Sequence, residues 1–177
     1  MTEALEFDLT LFPTPVLRKV ADPITSFDEG LAQHVEAMFA LMFKSHGVGL
    51  AAPQVGRKER ILVLNREGDP EKPELNRVLI NPRITDRRGE KALYEEGCLS
   101  FPGIYAEVER LDECTVEAVD VKGEAFTETF TGFESRIVQH EFDHLEGILL
   151  VDRMSPADKL RNRAALEELI ETYKANR

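Results

Sequence analysis

Cysteine is scarce in this chain of 177 residues: only Cys98 and Cys114 occur. Two cysteines are too few to staple a small secreted domain, so the fold must rest on a hydrophobic core, and a reducing, cytoplasmic setting is expected. Long apolar runs are missing too. The densest, Ile148 to Val151, falls far short of the roughly 18 residues that a membrane-spanning helix needs. The N-terminal stretch MTEALEFDLTLFPTPVLRKV carries acids where a secretion signal carries bases, and Pro13 and Pro15 interrupt it, so it does not read as a leader. Positive charge is outnumbered, with 22 Lys and Arg against 33 Asp and Glu, a formal net charge of −11 and a pI near 4.9. Such a surface repels phosphate backbones and excludes general nucleic-acid binding. No repeat, linker or low-complexity tract divides the chain.

What remains is a globular composition, 42% hydrophobic and 31% charged with 10 Phe, and a length suited to one domain over residues 1–177. Ser26 followed by Glu29 reads as a capping box, and Leu31, Val35, Met38, Phe39 and Met42 then recur at helical spacing up to Gly47, which predicts an N-terminal helix over 26–46. His34 and His46 belong to that segment and are assigned no chemistry, because isolated helix histidines are commonly packing or surface residues. A small-residue loop, GVGLAAPQ, comes next, and RILVLN after it reads as a buried strand. Short strands are expected at Val78–Ile84, Ile104–Val108, Cys114–Val121 and Ala125–Phe130, with Lys122-Gly123 turning between the last two. Helical spacing returns from Phe133 to Leu145, and Ser155-Pro156 opens a C-terminal helix over about 156–175. The expected class is α+β, with mixed or antiparallel sheet packed around a central helix.

That central helix carries Gln139-His140-Glu141-Phe142-Asp143-His144, an HExxH pattern. Residues four apart share a helical face, so His140 and His144 can chelate one metal ion. Glu141 sits three before His144 on the same side and can take a proton from water without being a ligand itself. A catalytic site needs a third protein ligand and an open position for water. Extension to HExxHxxGxxH matches at Gly147 but puts Leu150 where a ligand is needed. Glu167 and Glu168 lie in a run that reads as an ordinary charged helix face. Cys98, in Glu95-Glu96-Gly97-Cys98-Leu99-Ser100 with Pro102-Gly103 behind it, is the better third ligand. Cys114 alternates with Thr115 as an inward strand residue and is assigned to the core.

The segments GVGLAAPQ at 47–54, EEGCLS at 95–100 and QHEFDHLEG at 139–147 stand in an order and separation that closely resemble the peptide deformylase family, over about residues 5–160. The resemblance implies one divalent ion on Cys98, His140 and His144, with Fe²⁺ as the physiological ion and Zn²⁺, Ni²⁺ or Co²⁺ as substitutes. It implies Glu141 as general base and acid, and the Gln54 amide with the Leu99 backbone N–H as donors to a formyl oxygen. Val48, Phe133 and Ile137 would line a methionine pocket, and the Gly49 backbone would pair with an extended substrate. The implied substrates are N-formyl-methionyl nascent peptides, and the implied product is formate. In some relatives the C-terminal helix docks near the ribosomal exit tunnel, for which Lys159, Arg161 and Arg163 offer a basic patch followed closely by Glu167, Glu168 and Glu171.

Two departures from the family pattern stand out. Arg136 replaces an aliphatic residue found in some relatives at the far end of the pocket, and Gly103-Ile104-Tyr105 stands where an arginine contacts the substrate backbone. Glu96 is expected to pair with Arg110. Two other readings of the same motifs stay open: a structural zinc module with Cys114 as fourth ligand, which would hold metal without hydrolysis, and a general HExxH endopeptidase.

Overall fold

The computed structural model describes residues 5–177; the first four residues of the stretch read above as no leader lie outside the described residues. Among the described residues one sheet of five strands runs in the order β1 (Gly49–Ala51), β2 (Ile61–Asn65), β3 (Asn76–Cys98), β4 (Phe101–Val119) and β5 (Ala125–Thr131). Its helices are α1 (Glu29–Lys44), α2 (Gly132–Leu145), α3 (Leu150–Arg153), α4 (Pro156–Arg161) and α5 (Arg163–Ala175). The class is α+β, and every ladder of the sheet is antiparallel.

β2 explains how the helices are placed. Successive strand residues point to opposite faces, so an all-apolar strand must be covered twice. Leu62 and Leu64 join Leu79, Val116 and Phe130 under Ile137, Val138 and Leu145 of α2. Ile61 and Val63 join Leu50 and Ile80 under Leu31, Val35, Met38 and Met42 of α1. Each such leucine or isoleucine, fully buried, contributes about 1.5–3 kcal/mol. These contacts pin α2 on the sheet, and most of its polar residues are buried with it. A third cluster joins Leu17, Phe101, Ile104 and Val108 to Leu149, Leu150 and Met154, with Leu166 and Leu169 of α5 packed on it and Cys98 at its border.

Several element boundaries differ from expectation. The helix expected from Ser26 begins at Glu29, because Asp28 takes the capping role and accepts from Leu31 N–H at 3.0 Å while Ser26 donates to Asp28. The short strands expected at 78–84 and 104–108 are parts of two long ones, β3 and β4, joined at Leu99-Ser100. Beyond Ile80 β3 leaves β2 and keeps only β4 as a neighbour. The final helix is split at Asn162, and α3 precedes it. The turn at Lys122-Gly123 forms as expected, with Gly123 at φ +82° and its N–H donating to Asp120 O. Among the described residues no helix is long and apolar enough to cross a membrane.

Candidate active site

α2 presents His140, Glu141 and His144 on one face, which Ile137 shares one turn earlier, with the imidazole centroids 5.3 Å apart. Cys98 reaches them from the end of β3, where the register with β4 shifts between Gly97 and Cys98. A bulge of this kind re-aims a side chain. Cys98 Sγ lies 3.3 Å from His144 Nε2, and one donor atom from each of Cys98, His140 and His144 falls within 4.8 Å of the others. Donors so spaced can converge on one ion with bonds of about 2.0–2.3 Å, and thiolate with two imidazoles is a set that divalent transition metals accept.

Electrostatics suit that use. Burial, together with the charges of His140 and Arg110, holds His144 well below the usual histidine range, so it stands as a neutral donor. Burial opposes charge on His140 as well, but hydrogen bonds to Cys98 and Glu96 outweigh it and hold the imidazole above its usual range. An ion binding here displaces that proton. Burial pushes Glu141 up to about 7, close to where a general base and acid works at neutral pH; a divalent cation alongside would draw it lower. Glu141 Oε2 is buried with no hydrogen-bond partner among the described residues. An open acceptor in a cavity wall suits a water or a substrate N–H.

The expected pair of Glu96 and Arg110 forms, and it belongs to a larger network. Arg110 donates Nε and Nη2 to Glu96 at 2.8 and 3.0 Å and Nη1 to Asp143 at 3.0 Å. Arg136 donates Nη1 to Glu96 Oε2 at 2.6 Å, and His140 Nδ1 lies 2.9 Å from Glu96 Oε1. Burial works against the Glu96 charge, yet the hydrogen bonds from His140 and Arg110 take its carboxyl down to about 2.

Gln54 sits in the turn Ala52–Val55 after β1. Its Oε1 accepts from Ala51 N–H at 2.9 Å, which aims Nε2 at Ser100 Oγ at 3.3 Å and Cys98 Sγ at 3.6 Å. The same geometry orients β1. Val48 O accepts from Asn65 N–H on the β2 side, whereas Ala51 N–H is turned the other way to Gln54. By strand alternation Gly49 turns its N–H and C=O away from β2, toward open space at the edge of the sheet. A side chain there has no room: a Cβ would stand 2.7 Å from both Glu141 Oε1 and Ile137 Cγ2.

These residues border one cavity of about 660 Å³. Val48, Gly49, Cys98, Leu99, Phe133, Ile137, His140 and Glu141 all line it, while Gln54 and His144 are buried just behind. Cys114 lies in the core cluster under α2, apart from the ligand group, which removes the fourth ligand that a structural zinc module needs. His34 sits against Arg57 and Glu59, but His46 lines the cavity mouth with φ +57°, a place that helical spacing alone did not give it. Sequence reasoning gave no role to Ser100, Asp143 or Tyr94. The first two lie inside quoted motifs, which was the available signal; Tyr94 had none.

Residues 7–160 match the family described as polypeptide deformylase. The chain is 42% identical over 168 residues to the peptide deformylase of Thermotoga maritima, covering 95% of this chain and 99% of the relative. It is 44% identical over 163 residues to a chloroplastic/mitochondrial peptide deformylase of Arabidopsis thaliana, covering 92% of this chain and 59% of that longer relative. Among solved structures, the Plasmodium falciparum peptide deformylase superposes with a TM-score of 0.92 at 42% identity, over 95% of this chain and 98% of that one. A plant peptide deformylase gives 0.94 at 40% identity, over 99% and 95%.

Proposed function

The chain belongs to the polypeptide deformylase family, and on that premise we propose that it is a metal-dependent hydrolase acting on the N-terminal formyl-methionine of nascent polypeptides and releasing formate. The observation that carries the reading is the convergence of Cys98, His140 and His144 donor atoms beside the buried carboxylate of Glu141 at one cavity. We take residues 1–177 as one catalytic domain, since the site draws on β1, the β3–β4 junction and α2 together.

Cys98, His140 and His144 would hold a divalent ion, which when bound would supply Lewis acidity able to bring the pKa of water toward about 7. Fe²⁺ is the proposed physiological ion, with Zn²⁺, Ni²⁺ or Co²⁺ able to replace it. The residues of the chain do the rest. An extended substrate pairs with Gly49 at the β1 edge, and the methionine side chain enters between Val48, Phe133 and Ile137. Gln54 Nε2 and Leu99 N–H donate to the formyl oxygen as negative charge builds on it, each worth about 10²- to 10³-fold in rate. Glu141 takes the proton from the attacking water and passes it to the departing amine as the C–N bond breaks.

Arg161 is already paired with Asp158, and Arg163 donates to Glu167 at 2.8 Å, so the basic patch for ribosome docking is weaker than its sequence. Docking near the exit tunnel is retained only as a secondary proposal, and a cytoplasmic address rests on the two free cysteines. Hydrolysis of a formyl-Met tripeptide, its N-acetyl counterpart and an unblocked longer peptide by metal-loaded protein tests the reading. Release from the formyl peptide alone is expected. Cleavage of internal bonds would instead favour an endopeptidase, and tightly held metal without hydrolysis would favour a structural site.

A further inference from the structure

Glu96 is buried, and its carboxylate is fully subscribed. Oε1 accepts from Arg110 Nη2 at 3.0 Å and faces His140 Nδ1 at 2.9 Å; Oε2 accepts from Arg110 Nε at 2.8 Å and from Arg136 Nη1 at 2.6 Å. A carboxylate offers about four lone-pair directions, and here all four are used. Arg110 cannot do this alone, because its Nη1 is committed to Asp143 at 3.0 Å. Asp143 also accepts from Arg153 at 2.7 and 3.1 Å, so Arg136 is the one guanidinium whose carboxylate partner is Glu96 alone, and Glu96 and Arg136 are both under 10% exposed. Arg136 is itself held from behind, its Nη1 also donating to Val108 O at 2.8 Å and its Nη2 to Ala92 O at 2.7 Å, with Tyr94 5.6 Å from its guanidinium. Its polar end is therefore spent on Glu96 and on β3 and β4, and its stem borders the substrate cavity.

We propose that Arg136 is a positioning residue for the candidate metal centre, locking the Glu96 carboxylate so that it holds His140 Nδ1 and aims the opposite imidazole nitrogen at the ion. A ligating histidine is oriented by the partner of its other nitrogen, and losing such a partner typically lowers metal affinity by about 10- to 100-fold. Arg136 acts one step further out, through the oxygen of Glu96 that His140 does not touch. The inference rests on the reading of Cys98, His140 and His144 as metal ligands.

The test is chelator competition and visible absorption on Co²⁺-loaded protein, comparing wild type with Arg136→Leu and Arg136→Gln, each also made with Glu96→Gln. Folding is checked by circular dichroism. Arg136→Leu is expected to lower Co²⁺ affinity by about 10-fold or more and to shift the visible bands. With Glu96→Gln present, the same substitution should add no further loss, since residues acting through a shared partner are not additive. Should Arg136→Leu fail to fold, Arg136→Gln, neutral but still able to donate to the carbonyls, carries the same comparison. Unchanged affinity and spectrum in a folded variant would overturn the inference, as would an undiminished loss in the Glu96→Gln background. A wild type that holds no Co²⁺ would instead sink the metal reading beneath it, so the two failures are distinguishable.

Discussion

At Gly49 the need for glycine comes from two directions. In the proposed function the backbone lies open for an extended substrate, and a methyl group would meet the general-base candidate and Ile137 at 2.7 Å each. Contacts this short force a shift of Glu141 or of β1, and a misplacement of about 1 Å can cost about 10²-fold in rate. Gly49→Ala should therefore lose at least about 10²-fold in kcat/KM while keeping its fold, read by formate release beside a thermal melt. An unimpaired Gly49→Ala would remove Gly49 from the substrate path. Legibility at this scale follows from spacing. His140, Glu141 and His144 could be read because helical periodicity alone places them on one side, and Cys98 because its glycine-flanked segment has no better use. The network around Glu96 could not all be read: Arg136 lies 40 residues away and Asp143 accepts from Arg110 on its far side, and no local pattern encodes a pairing between a helix and a strand bulge.

Among the elements, β3 was the least legible. Its stretch Asp86-Arg87-Arg88-Gly89-Glu90-Lys91 is exposed throughout and lacks the apolar alternation that marks a half-buried strand, so its sequence predicts no strand. Pairing with β4 makes it a strand, with Arg88 bonded to Thr115 and Lys91 beside Glu109 across the ladder. Charges on a strand open along one edge also discourage pairing with another chain. β2, α1 and α2 were legible because they are buried and rich in apolar residues; only their ends moved, as where Asp28 caps α1. The difference predicts hydrogen-exchange behaviour. Amides of Ile61–Leu64, covered by helices on both faces, should exchange near the global unfolding limit, whereas those of 86–93 should exchange markedly faster. Equal protection in both segments would mean that the outer part of β3 is covered in solution.

For the molecule as a whole, the sheet is the partition that makes the site. α1 covers one face, α2 the other, and the cavity opens where the edge of β1, the β3–β4 junction and α2 meet. The α+β class was readable from the order of helix, strands and helices. The separate path of α3 and α5 over the third cluster, with α4 between them, was not, because Asn162 breaks a run that looks continuous in sequence. The central claim is that one ion on Cys98, His140 and His144 works with Glu141 to hydrolyse a formyl group. Its most direct test is formate release from a formyl-Met tripeptide by protein loaded anaerobically with Fe²⁺ or Ni²⁺, with bound metal quantified, beside Glu141→Gln. Wild type should release formate, lose that activity on chelation and regain it on reloading, while Glu141→Gln keeps one ion per chain and falls by about 10²- to 10⁴-fold. A Glu141→Gln protein that retains its metal and hydrolyses at the wild-type rate would contradict the account.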